Sequence, residues 1–280
     1  MNAVEFEPHR KRILGLAYRM TGSVATAEDV VQETWLRWTR AERVEQPHGW
    51  LTTVATRLCL DEQRSARARR ETHAGPWLPE PWIEAEPPEP GWPGESLSMA
   101  FLVMLEELSP RERAAFLLRE VFEEPYERVA AALDTTESTA RQWVRRAHAA
   151  LDADRPRFDA DPIAQAALLA AFGVAVRGGD LAALERLLAH DVVATSDGGG
   201  RVSAARRPIH GASSVARFLL GVARKAPAEL VVSPAWVNGQ IGLVARAAGP
   251  AGQVVLVASI SIRDGRIVRY DAVLDPLKLR

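Results

Sequence analysis

The chain has 280 residues, of which 47% are hydrophobic and 25% are charged, and its formal net charge is -1. This composition is typical of a soluble protein, and the length allows two or three compact domains. The single cysteine, Cys59, excludes an intrachain disulfide and a cysteine cluster for zinc. No apolar run approaches the roughly 20 residues that span a bilayer, and the N-terminus has no secretion-type apolar core. We therefore expect a cytoplasmic protein with no membrane contact, no metal and no cofactor.

Residues 1–73 carry a helical pattern, because apolar residues recur at intervals of three and four along most of this block. Thr26, followed three residues later by Asp29, predicts a capping-box start for the second helix. Pro47 suits the first turn of the third helix. The pattern predicts a helical bundle.

The second helix of this bundle has an acidic outer stripe. Its inner face is predicted to consist of Val31, Trp35 and Trp38. Four residues then point outwards along one line: Asp29, Gln32, Glu33 and Leu36. An acidic stripe with an exposed leucine is more often a solvated face, and a docking face for a partner is the alternative.

The third helix combines an aromatic residue with arginines. The residues predicted to lie away from its apolar face are Trp50, Thr53, Arg57, Arg64 and Arg67. An aromatic ring beside arginines can stack on bases and neutralise phosphates, whereas the alternative is a basic, solvated helix end. The run of arginines from 64 to 70 favours nucleic acid.

Residues 74–98 form a segment of different character, with seven prolines, five glutamates and three tryptophans between residues 74 and 96. Such a stretch buries too little apolar surface to fold alone. We expect part of it to dock on a folded domain: Trp77, Leu78, Pro79, Glu80 and Pro81. Glu84 to Pro93 are expected to remain a solvated acidic tether, and a plain spacer throughout is the alternative.

Residues 99–155 predict a helix-turn-helix. Ser109 and Glu112 open one helix, and a short later helix is separated by Asp134–Thr136 from an arginine-rich one that Thr136 caps. The outward residues of that last helix are of the types that contact base edges and phosphates in a major groove. They are Glu137, Ser138, Thr139, Arg141, Gln142 and Arg145. An unrelated helical hairpin is the alternative.

Residues 156–280 begin with two Ala-rich helical segments, and His190 with Asp191 is expected to cap the second. Five runs rich in β-branched residues follow, with residues 247–252 and 263–266 as hairpin turns. The pattern predicts an α+β domain with a mostly antiparallel sheet.

Five polar residues of this last block are candidates for acid-base chemistry: Asp197, His210, Asp264, Tyr270 and Asp271. No nucleophile is paired with a base among them, so we do not expect an enzyme. The stretch from Asp197 to Arg201 differs in kind, because Gly198, Gly199 and Gly200 bring backbone amides to a surface between two charged side chains. A contact loop and a mobile loop both remain open.

Together, the helical blocks resemble an extracytoplasmic function sigma factor of the sigma-70 family. "TAEDVVQETWLRW" resembles the sigma-two helix that binds the clamp helices of the RNA polymerase β′ subunit, and "GWLTTVATRLCLDEQRSARARR" resembles the part that melts and reads the minus-ten element. Residues 105–151 resemble the sigma-four domain, which reads the minus-thirty-five element and sits on the β flap. The resemblance implies core RNA polymerase and promoter DNA as partners. Arg57 stands where many relatives carry asparagine.

"AFGVAVRGGDLAALERLLAHDVVATSDGGG" resembles the SnoaL-like domains, which are curved-sheet cones related to nuclear transport factor two. A subgroup of these sigma factors carries such a domain with a Trp-Leu-Pro-Glu-Pro linker, an Asp-Gly-Gly-Gly motif and an Asn-Pro-Asp-Lys-Leu tail. The counterparts here are Trp77–Pro81, Asp197–Arg201 and a variant tail of Asp275, Pro276, Leu277, Lys278 and Leu279. The resemblance implies a contact loop at Asp197–Arg201 and a domain that regulates in cis through these three segments.

Two other functions stay open on the residues alone. One is a helix-turn-helix regulator whose cone senses a small ligand, but it would not need the acidic stripe beside an arginine-rich third helix. The other is a cyclase or isomerase fused to a DNA-binding module, which would lose turnover on mutation of His210 or Asp271. The sequence does not identify any ligand of the cone.

Overall fold

A computed structural model describes residues 3–71, 73–87, 97–152, 162–249 and 252–279. The chain divides into two compact units. The first contains residues 1–72 and 102–155, and the second contains residues 73–101 and 156–280.

The first unit begins with three helices, α1 (Ala3–Thr21), α2 (Val24–Arg40) and α3 (Pro47–Glu71). Their shared interior is fully buried at positions such as Tyr18 and Trp38, which confirms the predicted bundle. The predicted start of α2 was wrong. Ser23 is its N-cap, and the Ser23 side chain accepts a hydrogen bond from the Thr26 backbone N–H at 3.2 Å.

The remaining helices of the sigma-like part are α4 (Met99–Leu105), α5 (Pro110–Phe116), a π-helical turn (Leu117–Val121), α6 (Tyr126–Ala132) and α7 (Glu137–Asp152). Ser109 and Glu112 form the predicted capping box of α5. Thr136 caps α7, because its hydroxyl accepts from the Thr139 N–H at 3.2 Å. Asp134 takes the left-handed conformation between α6 and α7, with φ 51°. The helix-turn-helix is confirmed.

The second unit has three helices on a seven-stranded sheet: α8 (Pro162–Gly178), α9 (Leu181–Leu187) and α10 (Ala212–Lys225). The strands are β1 (Ile83–Glu84), β2 (Leu188–Asp197), β3 (Ile209–His210), β4 (Val231–Val237), β5 (Gln240–Arg246), β6 (Val254–Arg263) and β7 (Arg266–Val273), in the spatial order β1-β4-β5-β6-β7-β2-β3. Only the β2–β7 pair is parallel among the pairs described. The helices and one sheet face enclose an apolar core, which confirms the α+β cone.

Two details of this unit differ from the sequence expectation. Helix α10 was not predicted, although Val215, Leu219 and their neighbours bury one face of it. His190 and Asp191 lie in β2 instead of capping a helix, because the strand begins at Leu188. The Asp191 carboxylate pairs with Arg263 at 2.7 Å.

In the described part of the chain, no helix is both long and apolar enough to cross a membrane. The same residues contain no cluster of histidine, cysteine or carboxylate side chains that would hold a metal ion. Cys59 is fully buried, and burial raises the pKa of its thiol.

Candidate functional site

The acidic stripe lies on the outer side of α2. Asp29 and Gln32 are exposed, and Leu36 keeps 37% of its surface accessible despite its apolar side chain. Glu33 is half-buried and pairs with Arg37 at 2.8 Å. On the other side of α2, Trp38 is buried. The four predicted residues therefore share one surface, with an apolar side chain among polar ones.

The predicted face of α3 is divided between packing and solvent. Trp50 is half-buried, with its ring centroid 5.8 Å from that of Trp38, and the Thr53 hydroxyl donates to the Gly49 carbonyl at 2.8 Å. Arg57 and Arg64 are exposed. The side chain of Arg67 lies outside the described residues.

The outer face of α7 carries all six predicted residues. Thr139 is half-buried and the other five are exposed, whereas the opposite face is buried at Ala140, Val144 and Ala147. Arg141 is held in place twice: it pairs with Glu137 at 3.0 Å, and its guanidinium lies 4.0 Å from the Tyr126 ring centroid. An arginine restrained in this way loses less conformational entropy when it binds.

The α3 face and the helix-turn-helix lie against each other in the first unit. Arg57 donates a hydrogen bond to the Ala131 carbonyl at 3.3 Å, and Ala131 lies in α6, directly before the turn that leads to α7. Arg113 of α5, which is buried, makes a second connection between the C-terminal helices and the first three. Its guanidinium donates a hydrogen bond to the carbonyl of Met20 in α1 at 2.9 Å. Both predicted DNA-reading surfaces therefore belong to one closed arrangement.

Glu124 is a functional candidate that the sequence did not reveal. Its buried carboxylate, just before α6, lies 2.7 Å from Arg12 of α1 and 2.6 Å from His48 of α3. Arg128 of α6 adds a contact at 3.3 Å. Burial alone would raise the pKa of Glu124, but the hydrogen bonds and charges of His48 and Arg12 lower it below its ordinary value. One carboxylate thus connects the two helical blocks.

We expect Glu124→Ala to lower the free energy of unfolding of the first unit by about 3 kcal/mol, because it leaves partly buried cations without their carboxylate. Urea unfolding of the full chain, followed by tryptophan fluorescence, measures this as an earlier first transition. Glu107→Ala is the matched control, since Glu107 is exposed, and it should change stability by less than about 0.5 kcal/mol.

The same contact sets an expected pH dependence. Because the pKa of Glu124 is lower in the folded chain than in the unfolded one, its stabilising contribution is complete above the unfolded pKa of about 4.3 and is lost as the pH falls through the lower, folded pKa. If Glu124→Ala and the unchanged chain lose stability in parallel between pH 5 and pH 3, the assignment is wrong.

In the second unit, the Asp197 side chain is fully buried and receives four polar groups. One carboxylate oxygen accepts from the Leu78 backbone N–H at 2.9 Å and from the Lys278 ammonium at 2.7 Å. The other accepts from the Gly199 N–H at 2.9 Å and lies 2.8 Å from His73 Nε2. Burial alone would raise the pKa of Asp197, but the charge of Lys278 and the N–H donors lower it. Asp197 is therefore an anion held inside the fold by the linker and the tail.

Lys278 brings the tail to the linker. Its ammonium donates to the Leu78 carbonyl at 2.6 Å and lies 4.4 Å from the ring centroid of Trp77. Leu78 is fully buried, and Pro79 and Pro81 are buried beside it. We call residues 73–84, held by Asp197, Lys278 and the sheet, the linker anchor.

The glycines at positions 198–200 allow the loop after β2 to lie close to both the C-terminal tail and the start of the linker. Gly199 has φ +60°, and a Cβ atom built there would lie 2.2 Å from the Asp275 carboxylate. Gly200 has φ +71°, and a Cβ would lie 2.9 Å from that of Ala74. Asp275 also accepts from the Leu277 N–H at 3.1 Å and lies 3.4 Å from Arg201. Only glycine fits between the tail and the start of the linker.

The linker anchor extends further than expected. Ile83 and Glu84 pair with Val237 and Trp236 as strand β1, and the Glu84 carboxylate accepts from the Gly239 N–H at 2.8 Å. The expectation that Glu84 starts a solvated tether was therefore wrong. Residues 85–87 are exposed, and the rest of the expected tether, from residue 88 to residue 93, lies outside the described residues.

The five candidates for acid-base chemistry do not converge. Tyr270 and Asp271 are neighbours on β7, so their side chains point to opposite faces of the sheet. His210 is exposed on β3, and Asp264 forms the β6–β7 turn with φ 52°. Asp197 is engaged by the linker anchor. Of these five residues, Asp197 holds separate segments of the chain together, and the others do not form a common catalytic centre with it.

Comparison with known protein families separates the two helical blocks in the same way. The family model "Sigma-70 region 2" matches residues 6–69, and "Sigma-70, region 4" matches residues 98–151. These ranges include α2 and all but the last residues of α3 and α7, the three helices that carry the outer surfaces.

Two curated relatives from Mycobacterium tuberculosis match over nearly the whole chain. The ECF RNA polymerase sigma factor SigJ is 38% identical, over 99% of this chain and 93% of the relative. The probable ECF RNA polymerase sigma factor SigI is 31% identical, over 97% of this chain and 92% of the relative. The crystal structure of M. tuberculosis SigJ superposes with a TM-score of 0.79 and 32% identity, covering 99% of this chain and 98% of that one.

Proposed function

Because the chain belongs to the extracytoplasmic function sigma factors of the sigma-70 family, we propose that its three outer helix surfaces contact polymerase and promoter separately, and that the linker anchor regulates them in cis. The protein is an RNA polymerase sigma factor with a C-terminal SnoaL-like domain of the NTF2 type. The observation that carries the proposal is the Asp197 site, where loop, linker and tail meet around one buried carboxylate.

The acidic stripe of α2 is the surface for the β′ clamp helices of core polymerase. Polar residues around one exposed leucine have the anatomy of a protein interface, in which an apolar centre is ringed by polar groups. Asp29 and Gln32 supply the exposed polar groups, and Leu36 supplies the apolar contact. The β flap contact of the sigma-four part is proposed from the family resemblance alone.

Leu36→Glu should weaken binding to core RNA polymerase at least tenfold, because a charge replaces a central apolar contact. Fluorescence anisotropy of the labelled full chain titrated with core polymerase measures the affinity. Val174→Glu is the matched control, since Val174 is 63% exposed on α8 of the second unit. Equal affinities of the two variants would remove α2 from the polymerase interface.

Promoter DNA is read by α3 and α7. The exposed Arg57 and Arg64 are suited to the backbone of the melted minus-ten strand, with Trp50 as the aromatic neighbour. The exposed N-terminal half of α7 is suited to the major groove of the minus-thirty-five element.

The closed first unit must then open during initiation. The two elements lie about 25 base pairs apart by name, which is about 85 Å along B-form DNA. In the free protein, Arg57 is within hydrogen-bond distance of Ala131, close to the start of α7. A single closed arrangement cannot read both elements, so the contacts of Arg57, Arg113 and Glu124 must break.

The linker anchor makes this opening conditional. In sigma factors the segment between the two DNA-reading parts threads through polymerase, and here residues 73–84 are bound instead to the sheet, the Gly-rich loop and the tail. A docked segment on the same chain acts at high effective concentration, so modest contacts suffice to keep it bound. Run-off transcription with variants of the anchor tests this regulation. Equal output from anchored and released chains would refute it.

A further inference from the structure

The second unit contains an apolar cavity of about 970 Å³ between α10 and the sheet. A volume of this size is typical of sites for small organic ligands. Its apolar lining includes Phe218, Val222, Leu230, Leu256, Ala272 and Leu274. Val222 remains 44% exposed although it is apolar. The cavity thus offers an apolar interior with an opening to solvent.

The residues that line the cavity carry more positive than negative charge. Arg217 and Lys225 of α10 both line it, both are exposed, and neither is ion-paired with another described residue. Glu229 is the one acidic residue of the lining. Two cations and one carboxylate beside an apolar interior favour a ligand with an anionic head and an apolar body.

The interior also offers one polar group. Tyr270 lines the cavity and is only 8% exposed, and no described residue hydrogen-bonds its hydroxyl. Burial raises the pKa of Tyr270 to about 12, so the hydroxyl stays protonated and can donate a hydrogen bond. The hydroxyl oxygen is not one of the fully buried polar atoms without a partner, so it is accessible from the cavity.

We propose that this cavity is a binding site for an amphipathic carboxylate, with the carboxylate at Arg217 and Lys225 and the apolar chain directed towards the apolar side chains of α10 and the sheet, such as Phe218 and Leu256. One wall of the site is formed by residues that, together with Ala74 and Gly75 of the linker anchor, also line a neighbouring pocket. Ser196 and residues 202–205 line the cavity, and the Ser196 hydroxyl accepts from the Ala205 N–H at 2.9 Å, next to Asp197. Ligand occupancy can therefore act on the loop that holds the linker.

The test is calorimetric titration of the full chain with decanoate, at concentrations below micelle formation. We expect saturable binding to one site. 1-Decanol and decyltrimethylammonium should bind at least tenfold more weakly, because the former has no charge and the latter has the wrong one. This readout does not involve transcription, so it can fail without affecting the proposed function, and the reverse also holds.

Three variants locate the site. Gly221→Phe should abolish binding, because Gly221 lines the cavity and a Cβ there meets no atom within 4 Å, so the ring fills free space. Arg217→Gln with Lys225→Gln should weaken decanoate binding about tenfold. Arg224→Gln is the control on the same helix, since Arg224 is exposed and does not line the cavity.

Absence of saturable decanoate binding would overturn the proposal. Equal binding of decanol and decanoate, or an equal loss in Arg224→Gln and the double variant, would do the same. The double variant changes only exposed side chains, so it remains decisive if Gly221→Phe fails to fold.

Discussion

Replacing both Arg141 and Arg145 of α7 with alanine should reduce promoter-dependent transcription about a hundredfold. An arginine that reads a base edge contributes about 1–3 kcal/mol of discrimination, and each 1.4 kcal/mol corresponds to a factor of ten. Arg141 is already oriented by Glu137 and Tyr126, so its loss also removes a preorganised contact. Run-off transcription with core polymerase, on a promoter recognised by the unchanged chain, provides the measurement.

The control for this prediction replaces Arg186 and Arg224, two exposed arginines of the second unit, and removes the same total charge. It should retain transcription within about twofold, because salt-dependent attraction to DNA requires charges close to phosphates. Both double variants should bind core polymerase normally. Full transcription by the α7 variant would show that the minus-thirty-five element is read elsewhere.

Gly199→Ala should raise transcription about fivefold to tenfold by releasing the linker anchor. A methyl group at this position would lie 2.2 Å from the Asp275 carboxylate, and the residue has φ +60°, where alanine is strained. The loop must move, and the Asp197 carboxylate is then no longer positioned to accept hydrogen bonds from the Leu78 N–H and the Lys278 ammonium. A shift of about 1.4 kcal/mol in favour of the released state changes its population tenfold.

Two measurements distinguish release from general damage. A glutamate-specific protease should cut after Glu80 and Glu84 faster in Gly199→Ala, because these residues leave the folded surface. Gly178→Ala, where the added carbon meets nothing within 4 Å, should change neither proteolysis nor transcription. Faster cleavage with unchanged transcription would contradict the regulatory role while leaving the anchor itself intact.

Local signals in the sequence predicted most of the fold. The Ser109–Glu112 capping box, the Thr136 cap and the hairpin turn at Asp264 each depend on residues a few positions apart. The error at α2 was also local, because Ser23 and Thr26 are both good caps and only the backbone at Ser23 is extended. The spacing of apolar residues such as Val215 and Leu219 is typical of a helix, so α10 could have been predicted from the sequence.

The candidate site was less predictable, because its contacts join distant parts of the chain. Glu124 meets Arg12 and His48 across 112 and 76 positions, and no spacing rule relates such residues. The pairing of Glu84 with Trp236 depends on an open strand edge that exists only after the sheet has formed. By contrast, the outward faces of α2 and α7 followed directly from helical periodicity.

The strand formed by Ile83 and Glu84 has a consequence for the released state. It covers one end of β4, whose other strand neighbour is β5. When the linker leaves, the backbone groups it covered at Trp236 and Val237 become an open edge beside the exposed Val231 and Val232. Open apolar edges recruit strands from other chains and promote aggregation. Under the proposed regulation, an activated molecule would therefore be short-lived unless polymerase or a returning linker shields that edge, and activation would have a built-in time limit.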